Sequence, residues 1–134
     1  MTKVFPATVD ELNNVLLFMD EELEKAGCPL KTQTALDISM EELFVNVASY
    51  AYPEGNGTAE LEVISDNSER AVILRLSDTG LKFDPLQKQD PDVTLEAEDR
   101  RIGGLGIFMV KKMMDDFSYS YEDGKNILTI KKYF

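Results

Sequence analysis

Apolar residues recur at helical spacing through Leu12, Val15, Leu16, Met19 and Leu23, a stripe that seats one face of a helix on a core. The preceding Thr8-Val9-Asp10-Glu11 has the Thr-x-x-Glu form of a capping box, and Gly27 and Pro29 are residues that commonly end helices. A second stripe, Leu36, Met40, Leu43, Phe44, Val47 and Ala51, predicts a helix from near Lys31 to about Ala51, stopped by Pro53. Glu42 and Asn46 fall outside that stripe. Being four apart, they project from one side of the helix about a turn from each other.

Beyond Pro53-Glu54-Gly55-Asn56-Gly57, which reads as a turn, the period drops to two. Leu61 and Val63 alternate with Glu60 and Glu62, then Val72, Leu74 and Leu76 with Arg75 and Ser77. Two strands are predicted, joined by a polar turn at Asp66-Asn67-Ser68. From Gly80 to Arg101 the periodicity fails while Asp, Glu, Gln, Lys and Pro accumulate. Structureless stretches of this length in a small domain are often functional lids, so a mobile lid is predicted over 81–103. Gly103-Gly104-Leu105-Gly106 opens a third, largely buried helix, Ile107 to Asp116. Phe117, Tyr119 and Tyr121 then alternate with Ser118, Ser120 and Glu122, and Asp123-Gly124 before the run Ile127 to Phe134 is a strong hairpin signal. Without a repeat or linker, residues 1–134 read as one α+β domain, with helices on one face of a mostly antiparallel sheet.

Composition narrows the class. A chain of 134 residues, 43% apolar and 29% charged, can bury one core without outside help. Its formal net charge of -11 argues against a direct nucleic-acid surface, which needs clustered Lys and Arg. Cys28 stands alone and there is no His, so neither an internal disulfide nor a zinc site of Cys and His is available. With no secretion signal and no apolar run long enough for a membrane helix, the expectation is a cytoplasmic protein without a membrane partner. In that setting the sequon Asn56-Gly57-Thr58 reads as a turn.

Three separated segments carry chemistry. In Glu41-Glu42-Leu43-Phe44-Val45-Asn46 the Asn oxygen is a neutral hard ligand suited to Mg²⁺, and the Glu42 carboxylate can orient a water or accept a hydroxyl proton; alone, the pair reads equally as a solvated helix face. In Ser77-Asp78-Thr79-Gly80 a carboxylate at a strand end can accept a hydrogen bond from an exocyclic amine such as adenine N6. Gly80 lets the backbone approach a flat ring; alone, the segment is an ordinary turn after a strand. In Arg101-Ile102-Gly103-Gly104-Leu105-Gly106 the glycines permit close approach of N–H groups to phosphates at a helix N-terminus; alone, it is a hinge. It is neither a Walker A loop nor a Rossmann fingerprint.

Taken together, from about Leu36 to the C-terminus, the three segments resemble the N, G1 and G2 boxes of the GHKL ATP-binding superfamily. Within it, Glu42 to Tyr52, Asp78-Thr79-Gly80 with Phe83-Asp84-Pro85, and Gly103-Gly104-Leu105-Gly106-Ile107 look most like anti-sigma-factor serine/threonine kinases. The resemblance implies a Bergerat fold, a two-layer α/β sandwich of three helices on a mixed, mostly antiparallel sheet. It also implies ATP and Mg²⁺ as cofactors. Asn46 matches the Mg²⁺ ligand, Glu42 the general base and Asp78 the adenine-reading carboxylate. Gly80 would sit against the base, Gly103, Gly104 and Gly106 along the phosphates, and Arg101 near the place of a lid arginine. Thr129 would support the adenine through its hydroxyl. Two positions depart from the pattern: Tyr50 replaces a frequent His, and Lys82 a frequent glycine.

The implied activity is phosphorylation of a serine on a small anti-anti-sigma partner of the STAS type. An alternative is a non-catalytic, nucleotide-dependent module that sequesters a sigma factor, and a third is the detached catalytic domain of a histidine kinase. Relatives of this kind are commonly homodimers, which makes a homodimer an expectation.

Overall fold

The computed structural model describes residues 1–87 and 104–134. Five strands form one sheet, and the three central ones alternate buried and open positions, as a sheet covered on one side requires. The five are β1 (Thr2–Pro6), β2 (Thr58–Asp66), β3 (Ala71–Asp78), β4 (Asp116–Glu122) and β5 (Lys125–Tyr133), in the order β1-β2-β3-β5-β4. Each neighbouring pair is antiparallel, so the mixture implied by the resemblance gives way, among the described strands, to a wholly antiparallel sheet. Leu61 and Val63, Val72, Leu74 and Leu76, and Leu128 and Ile130 line the inner face. Over them lie α1 (Leu12–Lys25), α2 (Leu30–Asn46) and α3 (Gly104–Met113), which contribute Val15, Met19, Leu23, Leu36, Met40, Leu43, Phe44, Ile107 and Val110 to the same core. The opposite face is polar: Glu62 and Arg75, opposite one another in register, form an ion pair at 3.0 Å.

Turns follow their residues. Asp123 and Gly124 both have positive φ, 53° and 78°, the pair of angles a type I′ hairpin turn demands. Between β2 and β3, Asp66 Oδ1 accepts from Ser68 N at 3.0 Å, Ser68 Oγ at 2.7 Å and Glu69 N at 3.2 Å, an Asx-type closure. α1 ends where Gly27 takes φ 75° and Cys28 N–H reaches back to Leu23 O at 3.0 Å.

Four features differ from the sequence reading. The capping box does not form: a 3-10 turn, Val9–Glu11, leads into α1, neither Thr8 nor Glu11 makes a side-chain cap, and Glu11 instead accepts from Asn14 Nδ2 at 3.1 Å. β1 is an additional edge strand. The third helix runs from Gly104 to Met113 rather than from Ile107 to Asp116, because Asp115 N–H already pairs with Lys131 O at 2.9 Å and Asp116 begins β4. The α-helical part of α2 stops at Asn46 and continues as a single π-helical turn, Val47–Ala51.

Candidate functional site at the helix and strand ends

The π turn carries the end of α2 to the end of β3. Ala51, its last residue, gives its carbonyl to Leu81 N–H at 2.9 Å, and a Cβ added to Gly80 would run into the Ala51 backbone and side chain. Gly80 is therefore required by this helix-to-strand junction, a use the sequence reading had assigned to the approach of a ring. π turns of this kind occur often at functional sites. Tyr52, next along, braces the same corner: its hydroxyl donates to Thr58 O at 2.6 Å and accepts from Thr79 N–H at 2.9 Å.

The other end of the candidate site is set by α3. A Cβ on Gly106 would strike the Glu42 carboxylate, so the glycine lets the acidic group of α2 lie against the first turn of α3. Helix N-terminal turns carry partial positive charge and unpaired N–H groups, which attract carboxylates and phosphates alike. Asn46, one turn beyond Glu42 and half-buried, makes no side-chain hydrogen bond among the described residues, and neither does Glu42. With no side-chain hydrogen bond among the described residues, the Asn46 amide oxygen is a neutral hard donor that fits a divalent cation and its water shell, and the Glu42 carboxylate one turn away is placed to orient a water or accept a proton.

Asp78 closes β3 on its inner face and is 6% exposed. Its Oδ1 accepts from Gly80 N–H at 2.9 Å and from Asn126 Nδ2 at 3.0 Å. Burial pushes the Asp78 carboxyl up from its ordinary value, and the bonds from Asn126 and Gly80 oppose that push. Asn126 itself is 4% exposed and fully subscribed: it donates also to Leu81 O at 2.8 Å, and its Oδ1 accepts from Phe83 N at 3.1 Å and Tyr119 Oη at 2.6 Å. Burial, then the nearby Asp84 charge, pushes the Tyr119 phenol up, which keeps it a donor.

The structure thus gathers Glu42 and Gly106 at one contact and Gly80 against the turn that follows Asn46, with Asp78 two residues from Gly80. Gly104 heads the helix that carries Gly106. Thr129 is not gathered. Its register partners are Arg75 and Ser118, which places it on the polar face, away from Asp78. The register partner of Asp78 is Asn126, three residues earlier and therefore of opposite parity along the strand. Sequence reasoning missed Asn126 and Tyr52: the Asp123-Gly124 turn sets the register of β5 on β4, where Asn126 meets Tyr121, and not its register on β3, where it meets Asp78. Arg101 and Gly103 lie outside the described residues, as does the 88–103 part of the expected lid. Of the two departures, Lys82 Nζ stacks over the Tyr121 ring at 5.0 Å and Tyr50 is 51% exposed.

An antiparallel sheet roofed by three helices, with a buried carboxylate at a strand end and a second carboxylate against the first turn of a helix, defines a nucleotide-binding class. Residues 5–132 match the model of the histidine kinase-like ATPase domain, and the chain belongs to that family. It is similar, at 30% identity over 98% of this chain and 85% of the relative, to the serine-protein kinase RsbW of Listeria monocytogenes serovar 1/2a. It is also 30% identical, over 71% of this chain and 66% of the relative, to the serine/threonine-protein kinase BtrW of Bordetella bronchiseptica. Among solved structures, the histidine kinase domain from the Erythrobacter litoralis EL346 blue-light activated histidine kinase superposes with a TM-score of 0.56 at 12% identity, over 96% of this chain and 61% of that one. The same fold appears within the blue-light activated kinase from that organism at a TM-score of 0.54 and 13% identity, where the match covers 78% of this chain and only 31% of the other. At such identities the likeness concerns the fold. Among the described residues, no helix is long and apolar enough to cross a membrane.

Proposed function

We propose that the chain is a Mg-ATP-dependent protein serine/threonine kinase that acts on a serine of a small anti-anti-sigma partner of the STAS type, and in doing so regulates a sigma factor. The observation that supports this most directly is the meeting of Glu42 with the Gly106 turn of α3, which puts a base and a phosphate-binding helix end side by side. Membership of an ATPase family and similarity to proteins named as serine kinases support the same reading.

In this reading Asp78 accepts the adenine amine, and α3 presents its N–H groups to the phosphates. Asn46 would hold a Mg²⁺ with its water shell, and the ion would supply positive charge to offset that of the transferring phosphoryl group. Glu42 orients the serine hydroxyl and takes its proton as the Oγ–P bond forms and the bond to ADP breaks. Positioning supplies most of the acceleration, as in phosphoryl transfer generally. Arg101, Gly103 and the rest of 81–103 act as the lid over the phosphates.

Calorimetry of ATP with and without Mg²⁺, followed by transfer of labelled γ-phosphate to a cognate partner, tests this directly. Asn46→Ala and Asp78→Asn should each weaken binding by at least about tenfold, the worth of a hydrogen bond to a charged group. Glu42→Ala should spare ATP affinity and abolish labelling. Absence of ATP binding by the wild-type chain would overturn the reading, and tight binding with an unlabelled partner would reduce it to a nucleotide-dependent binding module.

A further inference from the structure

The inner face at the end of the sheet contains a polar residue that neither the sequence pattern nor the proposed chemistry uses. We infer that Asn126 is a positioning residue that fixes Asp78 and the root of the 81–87 segment as one unit, so that adenine selectivity and the seating of that segment depend on a single side chain. This rests on the proposed nucleotide reading.

An Asn amide has two donor hydrogens and acceptor room for two bonds. At Asn126 all four are used, two donated (Asp78 Oδ1 and Leu81 O) and two accepted (Phe83 N–H and Tyr119 O–H). The partners also fix which way the amide points. A flipped amide would place Nδ2 against the Phe83 N–H and Oδ1 against the Leu81 carbonyl and the Asp78 carboxylate, and would lose at least three of the four bonds. Because Asn126 is 4% exposed, water cannot substitute for a lost partner without the pocket opening.

Two consequences follow for a bound nucleotide. Asp78 Oδ1 is held by Asn126 and by Gly80 N–H, and its other oxygen, with no hydrogen bond among the described residues, is left to accept from an exocyclic amine. Leu81 and Phe83, at the start of the 81–87 segment, are tethered by their own backbone atoms to the amide that orients Asp78. A purely structural asparagine would affect all nucleotides alike. One that orients Asp78 matters only to a base bearing an amine where Asp78 can meet it.

The test compares ATP with inosine triphosphate, which carries a carbonyl oxygen in place of the N6 amine, binding to the full chain with Asn126→Ala, Asn126→Asp and Tyr119→Phe beside the wild type. For Asn126→Ala, ATP affinity should fall about tenfold, the worth of a hydrogen bond to a charged group, while the weaker inosine triphosphate affinity stays within about twofold. Asn126→Asp sets a carboxylate against a carboxylate, so the midpoint of ATP binding against pH should move upward, because Asp78 then holds its proton to higher pH. Tyr119→Phe disturbs the core least and should lower the ATP preference by about threefold, part of one hydrogen bond. The Phe83 amide should lose hydrogen-exchange protection in all three, with or without nucleotide. An unchanged ATP-to-inosine triphosphate ratio together with an unmoved pH midpoint in folded variants would overturn the inference, even while wild-type ATP binding stands. A wild type that binds neither nucleotide would instead overturn the functional reading, leaving the Phe83 exchange result to judge the clamp alone. Should Asn126→Ala not fold, Tyr119→Phe and Asn126→Asp decide.

Discussion

At the scale of single residues, two glycines are fixed by what stands where a side chain would go. A methyl at position 106 meets the Glu42 carboxylate and one at position 80 meets Ala51, and overpacking of this sort costs about 1–3 kcal/mol. The two substitutions should nevertheless differ in what they impair. Gly106→Ala can be relieved by turning the Glu42 side chain aside, so it should keep most of its melting temperature and lose phosphoryl transfer. Gly80→Ala presses on backbone at Ala51, so it should lower stability by about 1–3 kcal/mol in a urea titration. Equal stability losses in both would show that Glu42 is held as rigidly as the backbone. Thr129→Val offers a third outcome: on the polar sheet face, opposite Arg75, it should leave ATP affinity unchanged, and a marked loss would return Thr129 to the site.

Among elements, the packing of α1 on α2 brings Asp20 and Asp37 together, and the Oδ1 atom of each is buried with no hydrogen-bond partner among the described residues. Burial, then the bond to Asp20 and its charge, raises the Asp37 carboxyl to about 8. Cys28 faces the same carboxylate, and burial first and the Asp37 charge second push its thiol up. An unfolded Asp releases its proton near about 3.9. Between that value and about 8 the native state therefore binds a proton that the unfolded state does not, and stability falls as pH rises through this window. Asp37→Asn should match the wild type at pH near 4 and exceed it in melting temperature at pH near 8; parallel curves would remove the pair from the account.

These elements were legible in the sequence in unequal measure. The α1 and α2 stripes and the Asp123-Gly124 turn were plain because each is a local pattern with a local cause. β1 was not: Phe5 alone of its five residues is buried, so an edge strand with Pro6 at its end shows no alternation to detect. Thr8 and Glu11 had the letters of a capping box, yet the 3-10 turn that starts the helix displaced it. For the site, Glu42, Asn46, Asp78 and the glycines were readable as motifs. Asn126 was not, since its partners at 78, 81, 83 and 119 come from across the chain. Assigning Thr129 to the site failed on a parity that only the β3–β5 register reveals.

For the whole molecule, a net charge of -11 opposes the approach of an anionic nucleotide, so local groups have to overcome a repulsive surroundings. Salt screens that repulsion over about 10 Å at 0.1 M. The association rate of Mg-ATP in stopped flow should accordingly rise between low and moderate ionic strength, and a steep fall would point to a basic approach path. The π turn at Val47–Ala51 also acts as a gauge of length. It takes up about a residue more per turn than the α-helix ahead of it, and Ala51 at its far end meets both Gly80 and Leu81. Shortening the stretch by a single residue would swing its far end through about 100°, one step of a helix with 3.6 residues per turn. The surface chemistry of the stretch would remain while its join to the sheet was lost, so this short span should tolerate exchange of one side chain for another far better than any change in its count.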